Sequence, residues 1–136
     1  MRPLLVIMKK DILHHNDIVQ LVNSFYDKVI KDSTIGPIFN DIAKVNWEHH
    51  LPVMYSFWSS ILLDDHSYAD NPMATHLALN KKHPLQQIHF DVWIRLLYET
   101  VDDLFSGEKA LEAKTKGSQI AQLMHHKMRA SEQGIV

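Results

Sequence analysis

The chain has 136 residues, 46% of them hydrophobic, which fits one domain with one closed core. A formal charge of -2, with ten histidines besides, gives no single-sign field, so neither nucleic acid nor an anionic membrane surface is expected as a partner. Zero cysteines exclude disulfides, iron–sulfur clusters, thiolate-bound zinc and thioether attachment of a cofactor, so a metal must come in on histidine, on carboxylate or inside a cofactor.

Residues 1–14 read as an N-terminal extension. They lack the long apolar run and small-residue cleavage site of a secretory leader, and runs such as Ser59 to Leu63 are too short to span a bilayer, so a cytoplasmic location is expected. From Asn16, the positions Val19, Val22, Phe25, Tyr26, Val29 and Ile30 predict a helix of about four turns capped by Asn16 or Asp17. Lys31 to Phe39 then reads as a turn and short helical segment punctuated by Gly36 and Pro37. Asn46 or Trp47 to Leu63 predicts a second long helix whose apolar face carries Trp47, His50, Leu51, Met54, Phe57, Trp58, Ile61 and Leu62. Pro52 in this helix must either sit in the first turn or remove a backbone hydrogen bond next to His50.

After a polar loop, Asn71 and Pro72 suit the cap and first position of a short helix on which Met73, His76, Leu77 and Leu79 share a stripe. Lys81, Lys82 and His83 end it, placed either to pair with an anionic group or simply to favour a helix C-terminus. Pro84 fits the first position of the next helix, where Leu85, Ile88, His89, Val92, Trp93, Leu96, Leu97, Val101, Leu104 and Phe105 make the strongest periodicity in the chain, closed by Gly107. Glu108 to about Ala130 forms a last helix, with Ala110, Ala113, Gly117, Ile120, Ala121, Met124 and Met128 as a small-residue face able to pack closely on its predecessor. Residues 131–136 are expected to be a flexible tail of the single domain 1–136. No strand-like alternation of useful length occurs, so the fold class is all-α.

No two of the ten histidines stand three or four residues apart and His-Glu-x-x-His is absent, which argues against a zinc hydrolase. Members of a His-His pair lie about 100° apart on a helix, so at most one of each pair should face inward, and His14, His15, His125 and His126 are expected to be solvated. His50 and His76 fall instead on apolar faces of separate helices. A lone histidine in such a place is usually a core residue satisfied by a carbonyl. Two of them opposed among Phe39, Met54, Phe57, Trp58 and Trp93 would instead form the walls of a flat apolar slot, and haem fits such a slot.

Four elements in order carry a family resemblance from about Phe25 to Met124: Phe25-Tyr26 followed by Ile35-Gly36-Pro37-Ile38-Phe39; Trp47-Glu48-His49-His50-Leu51-Pro52 with Phe57-Trp58; Tyr68 with Asn71-Pro72 and His76; and His89-Phe90-Asp91-Val92-Trp93. In this order and spacing the chain resembles the truncated haemoglobins, and the lack of the Gly-Gly pairs of other groups favours group III. Asp70 departs from the pattern, where a glycine is common before Asn-Pro. The resemblance implies a truncated globin fold, a two-over-two helical sandwich around non-covalent haem b. It implies His76 as the proximal iron ligand, Tyr26 and Trp93 as distal hydrogen-bond donors, and His50 above the iron, either as a sixth ligand or as a gate. Phe39, Met54, Phe57, Trp58, Leu79 and Phe90 would line the porphyrin. The function it implies is binding of O2 and of NO, CO, cyanide or sulfide at a five-coordinate iron, in O2/NO or peroxide chemistry with NO dioxygenase or peroxidase-like activity supported by an external reductase. The alternative is a non-catalytic oxygen or NO binding or sensing protein. A monomer or weak dimer is expected.

Overall fold

Ile18, Leu21, Val22, Phe25, Tyr26 and Val29 recur every three or four residues and form the buried face of a first helix, α1 (His15–Lys31). The computed structural model describes residues 9–65, 80 and 83–132. Among these residues there is no strand, and the other helices are α2 (Trp47–Leu62), α3 (Gln87–Leu104) and α4 (Glu108–Glu132), with a π-helical turn at Ile38–Ile42 between α1 and α2. Helix α1 packs on α2 and α3, α3 packs on α4, and α2 reaches α4 through a smaller contact. The result is two helices layered on two, the globin architecture expected from the sequence. The predicted short helix with His76, Leu79, Asn71 and Pro72, together with Tyr68, Lys81 and Lys82, lies outside the described residues.

Close approach of the layers is set by the small-residue face of α4. Ala110, Ala113 and Ala121 are buried there, and a Cβ on Gly117 would stand 2.2 Å from Leu97 Cδ2 and 3.4 Å from the Trp58 ring. Gly36 has a similar role beside α1, because a Cβ there would meet the Ile30 carbonyl oxygen at 2.7 Å. Asp32 shapes the turn between them by accepting from the Thr34 and Ile35 N–H groups at 2.8 and 3.0 Å.

Helix starts differ from those expected. Helix α1 begins at His15 because the Asp17 carboxylate, inside the first turn, accepts from the Leu13 and His14 N–H groups at 2.9 Å each and pairs with Lys10 at 3.0 Å. Pro84 does not open α3. The Leu85 N–H donates to Asn80 Oδ1 at 2.8 Å and the Gln86 N–H to His89 Nδ1 at 2.9 Å, which keeps Gln86 extended and delays the helix to Gln87. His125 is not simply solvated: its ring is partly covered and stacks on Phe90, with centroids 4.7 Å apart and 19° between planes. Pro52 falls within α2 beyond the first turn, so the Glu48 carbonyl has no N–H four residues on, yet the helix continues to Leu62.

Helix α4 is capped from the other end of the chain. Asp11 accepts from the Lys109 N–H at 2.9 Å and the Ala110 N–H at 2.8 Å, while Gly107, at φ 135°, leaves room for the Asp11 side chain. Burial alone would raise the Asp11 pKa, but the N–H groups of Lys109, Ile12 and Ala110 and the Lys109 ammonium outweigh it and hold the carboxyl below its ordinary range. The native state then binds fewer protons at Asp11 than the unfolded chain, so this contribution is present above the unfolded carboxyl pKa and is lost as pH falls through the folded one. Asp11→Ala is therefore expected to lower the unfolding free energy by about 1 kcal/mol near neutrality. In urea titrations that difference should shrink as pH falls below the unfolded carboxyl pKa and through the depressed folded one.

Candidate functional site

On α2, His50, Met54, Phe57 and Trp58 follow one another at helical spacing and share a face; on α3, Phe90 and Trp93 do the same. These faces do not close on one another. They border a cavity of about 380 Å³, within the roughly 300–1,000 Å³ typical of small-molecule sites. Tyr26 enters it from α1, Ile35, Ile38 and Phe39 from the turn after α1, and Ile120, Ala121 and Met124 from α4. The π-helical turn positions Phe39: the Ala43 N–H donates to the Ile38 carbonyl at 2.8 Å and the Val45 N–H to the Phe39 carbonyl at 3.0 Å, closing the segment beneath its ring.

Polar groups converge on one part of this apolar wall. The Tyr26 ring meets the His50 ring edge-on at 5.4 Å and 79°, and Phe25 links Tyr26 to Trp93 by ring contacts of 4.9 and 5.2 Å. His50 Nε2 is closed to solvent. Burial pushes the Tyr26 phenol well above the ordinary tyrosine pKa, so it keeps its proton and remains a donor throughout the physiological range. At the margin, His89 accepts through Nδ1 from the Gln86 N–H. When that ring is neutral, its proton must sit on Nε2. Burial first, and then the His83 imidazole 5.9 Å away, hold the His89 pKa down.

All the described residues singled out from the sequence border this one cavity: Tyr26, Phe39, His50, Met54, Phe57, Trp58, Phe90 and Trp93. His76 and Leu79 lie outside the described residues. His49 also reaches the cavity, from an exposed position, so both members of that pair touch it rather than one. Sequence reasoning missed Lys44, Asn46 and Leu85 on the lining. Lys44 adopts φ 50°, a left-handed conformation that nothing in its neighbours signals. Ile120, Ala121 and Met124 were legible as a packing face of α4, but not as cavity wall.

The arrangement fits a haem-protein class of site: a slot with aromatic and aliphatic walls for a flat apolar group, with Tyr26, His50 and Trp93 on its border. Its volume, its aromatic lining and the protonated Tyr26 phenol all fit haem and a diatomic ligand. No family model matches the chain. The group 3 truncated haemoglobin ctb of Campylobacter jejuni is 32% identical over 104 residues, covering 74% of this chain and 80% of that protein. The crystal structure of group III truncated haemoglobin from Campylobacter jejuni superposes with a TM-score of 0.77 at 28% identity, covering 89% of this chain and 95% of that one. The chain belongs to the group III truncated haemoglobins. It is a haem globin that binds small ligands. Among the described residues, no helix is long and apolar enough to cross a membrane.

Because the Tyr26 phenol stays protonated where other tyrosines ionise, Tyr26→Phe is expected to leave the tyrosinate absorbance step near about pH 10 unchanged in amplitude. A smaller step in the variant would place the Tyr26 hydroxyl in water.

Proposed function

We propose that the protein binds O2, and in the same pocket NO, CO, cyanide or sulfide, at non-covalent haem b held by His76, and that its polar wall adapts it to O2/NO or peroxide chemistry. The observation that carries this is that Tyr26, His50 and Trp93 all border one cavity with many apolar and aromatic lining residues, the Tyr26 and His50 rings in contact and Trp93 linked to Tyr26 through Phe25. Haem held here by His76 would supply an iron able to bind small ligands and exchange electrons with them. Phe39, Met54, Phe57, Trp58, Leu79 and Phe90 hold the porphyrin by apolar contact.

Tyr26 donates through a hydroxyl that burial keeps neutral, and the Trp93 indole N–H is a donor with no acceptor function. His50 has both roles, because imidazole alternates between donor and acceptor and takes or gives a proton near neutral pH. A wall with two fixed donors and one proton-exchanging group suits oxidation of NO to nitrate or cleavage of a peroxide O–O bond after proton delivery from His50. A simple store of oxygen needs only the donors. Turnover requires electrons from a reductase, and the working unit is a monomer or weak dimer.

A donor aimed at a ligand carrying partial negative charge contributes about 1.5–3 kcal/mol, equivalent to roughly ten- to hundredfold in dissociation rate. Tyr26→Phe is expected to speed O2 release by that factor in stopped-flow measurements; an unaltered rate would remove Tyr26 from the role. His76→Ala is expected to lose the pigment or shift its spectrum. Retention of haem with the original spectrum would refute His76 as the proximal ligand.

A further inference from the structure

Of the three tryptophans, Trp58 is 2% exposed in the core and Trp93 lines the cavity, reaching Tyr26 through Phe25. Trp47 is placed differently. It stands one turn before His50 on α2, is not part of the cavity lining and is partly exposed to solvent, yet its ring touches that of Tyr26 with centroids 5.3 Å apart. It also stacks on Phe39 at 6.0 Å and 21° and meets His50 edge-on at 5.7 Å. Rings at these separations are in direct contact. Phenol and indole are the side chains in this cluster that give up single electrons; the phenylalanines do not.

We propose that Tyr26 and Trp47 form a one-electron path from the cavity to the surface, so that a phenol or aromatic amine too large for the cavity is oxidised at Trp47 while a hydroperoxide is reduced inside. The inference rests on the peroxide chemistry proposed above. Breaking one O–O bond consumes two electrons and two protons and yields water and an alcohol, or two waters from hydrogen peroxide. Each electron leaves Tyr26 as its phenolic proton moves to His50, whose ring packs edge-on against that of Tyr26 with centroids 5.4 Å apart. Trp47 restores the electron to Tyr26 as the proton returns from His50. The donor at the surface then refills Trp47 and departs as a radical, having lost one electron, so two donors are oxidised per peroxide. With each electron, one proton is released to solvent where the donor is a phenol or N–H amine, and one is taken from solvent where the donor, like a dye without such a group, loses the electron alone.

The test uses the haem-loaded protein, hydrogen peroxide and the sulfonated dye ABTS as the bulky donor. Freeze-quench electron paramagnetic resonance of the unaltered protein should show a tryptophan radical that is missing in Trp47→Phe. Dye turnover should fall by about tenfold or more in Trp47→Phe, while the first spectral change after mixing with peroxide keeps its rate. Trp47→Tyr, which replaces one redox-active ring by another, should recover turnover with a tyrosyl signal in place of the tryptophan one. An unchanged tryptophan radical and unchanged dye turnover in Trp47→Phe overturn the path. So does equal loss of the first peroxide reaction in both variants, which would make Trp47 a packing residue. If the unaltered protein leaves peroxide unconsumed, the reading beneath the inference fails first.

Discussion

The organising constraint is a cavity that apolar helix faces border instead of closing. Phe39, Phe57 and Phe90 border it together, and a flat apolar group seated among them would supply contacts that rings held apart across a slot do not make with one another. The layers can stay apart at the cavity because they are pinned elsewhere, at Gly117 against Leu97 and Trp58 and at Asp11 beneath α4.

Pinning and opening also divide what the sequence makes visible from what it hides. A cavity wall on a helix has the same period as a core face, so Tyr26, His50, Met54, Phe57, Trp58, Phe90 and Trp93 all stand out by spacing, and the density of aromatic rings hints that a core alone is not their purpose. His76 stands on a stripe of the same kind and, by the family resemblance, is the expected iron ligand, but it lies outside the described residues. Spacing does not reveal interactions made far along the chain or in unusual backbone. Asp11 caps a helix whose first N–H groups belong to Lys109 and Ala110, a pairing with no local trace. The π-helical turn and the left-handed Lys44 depend on how Phe39 is seated, which no short window shows. The start of α3 differs for a related reason: Pro84 is a good first residue by its own geometry, but Asn80 and His89 claim the N–H groups of Leu85 and Gln86, just before the true boundary.

On the proposed reading, the cavity would favour a ligand with modest negative character through neutral donors. Burial pushes the Tyr26 phenol away from ionisation, and the low local dielectric that penalises the phenolate would also strengthen a hydrogen bond that the phenol donates. Trp93 contributes an N–H that cannot ionise in this range. His50 differs in being able to change charge, and its place against both Tyr26 and Trp47 joins proton movement to the aromatic cluster.

That cluster links packing to redox chemistry. Phe39 and Trp47 stack at 21°, which fixes the Phe39 ring as one wall of the slot and at the same time holds Trp47 against Tyr26. A phenylalanine in place of Trp47 would preserve an apolar ring of similar shape, so packing alone places little demand on indole at a partly exposed position. An indole does carry a cost in such a place, since it leaves a large oxidisable ring open to solvent. On the proposed path, an oxidising equivalent left in the cavity would meet the thioethers of Met54 and Met124 on the lining, whereas one that reached Trp47 would meet reductants in solution. The same contact that shapes the pocket then spares it.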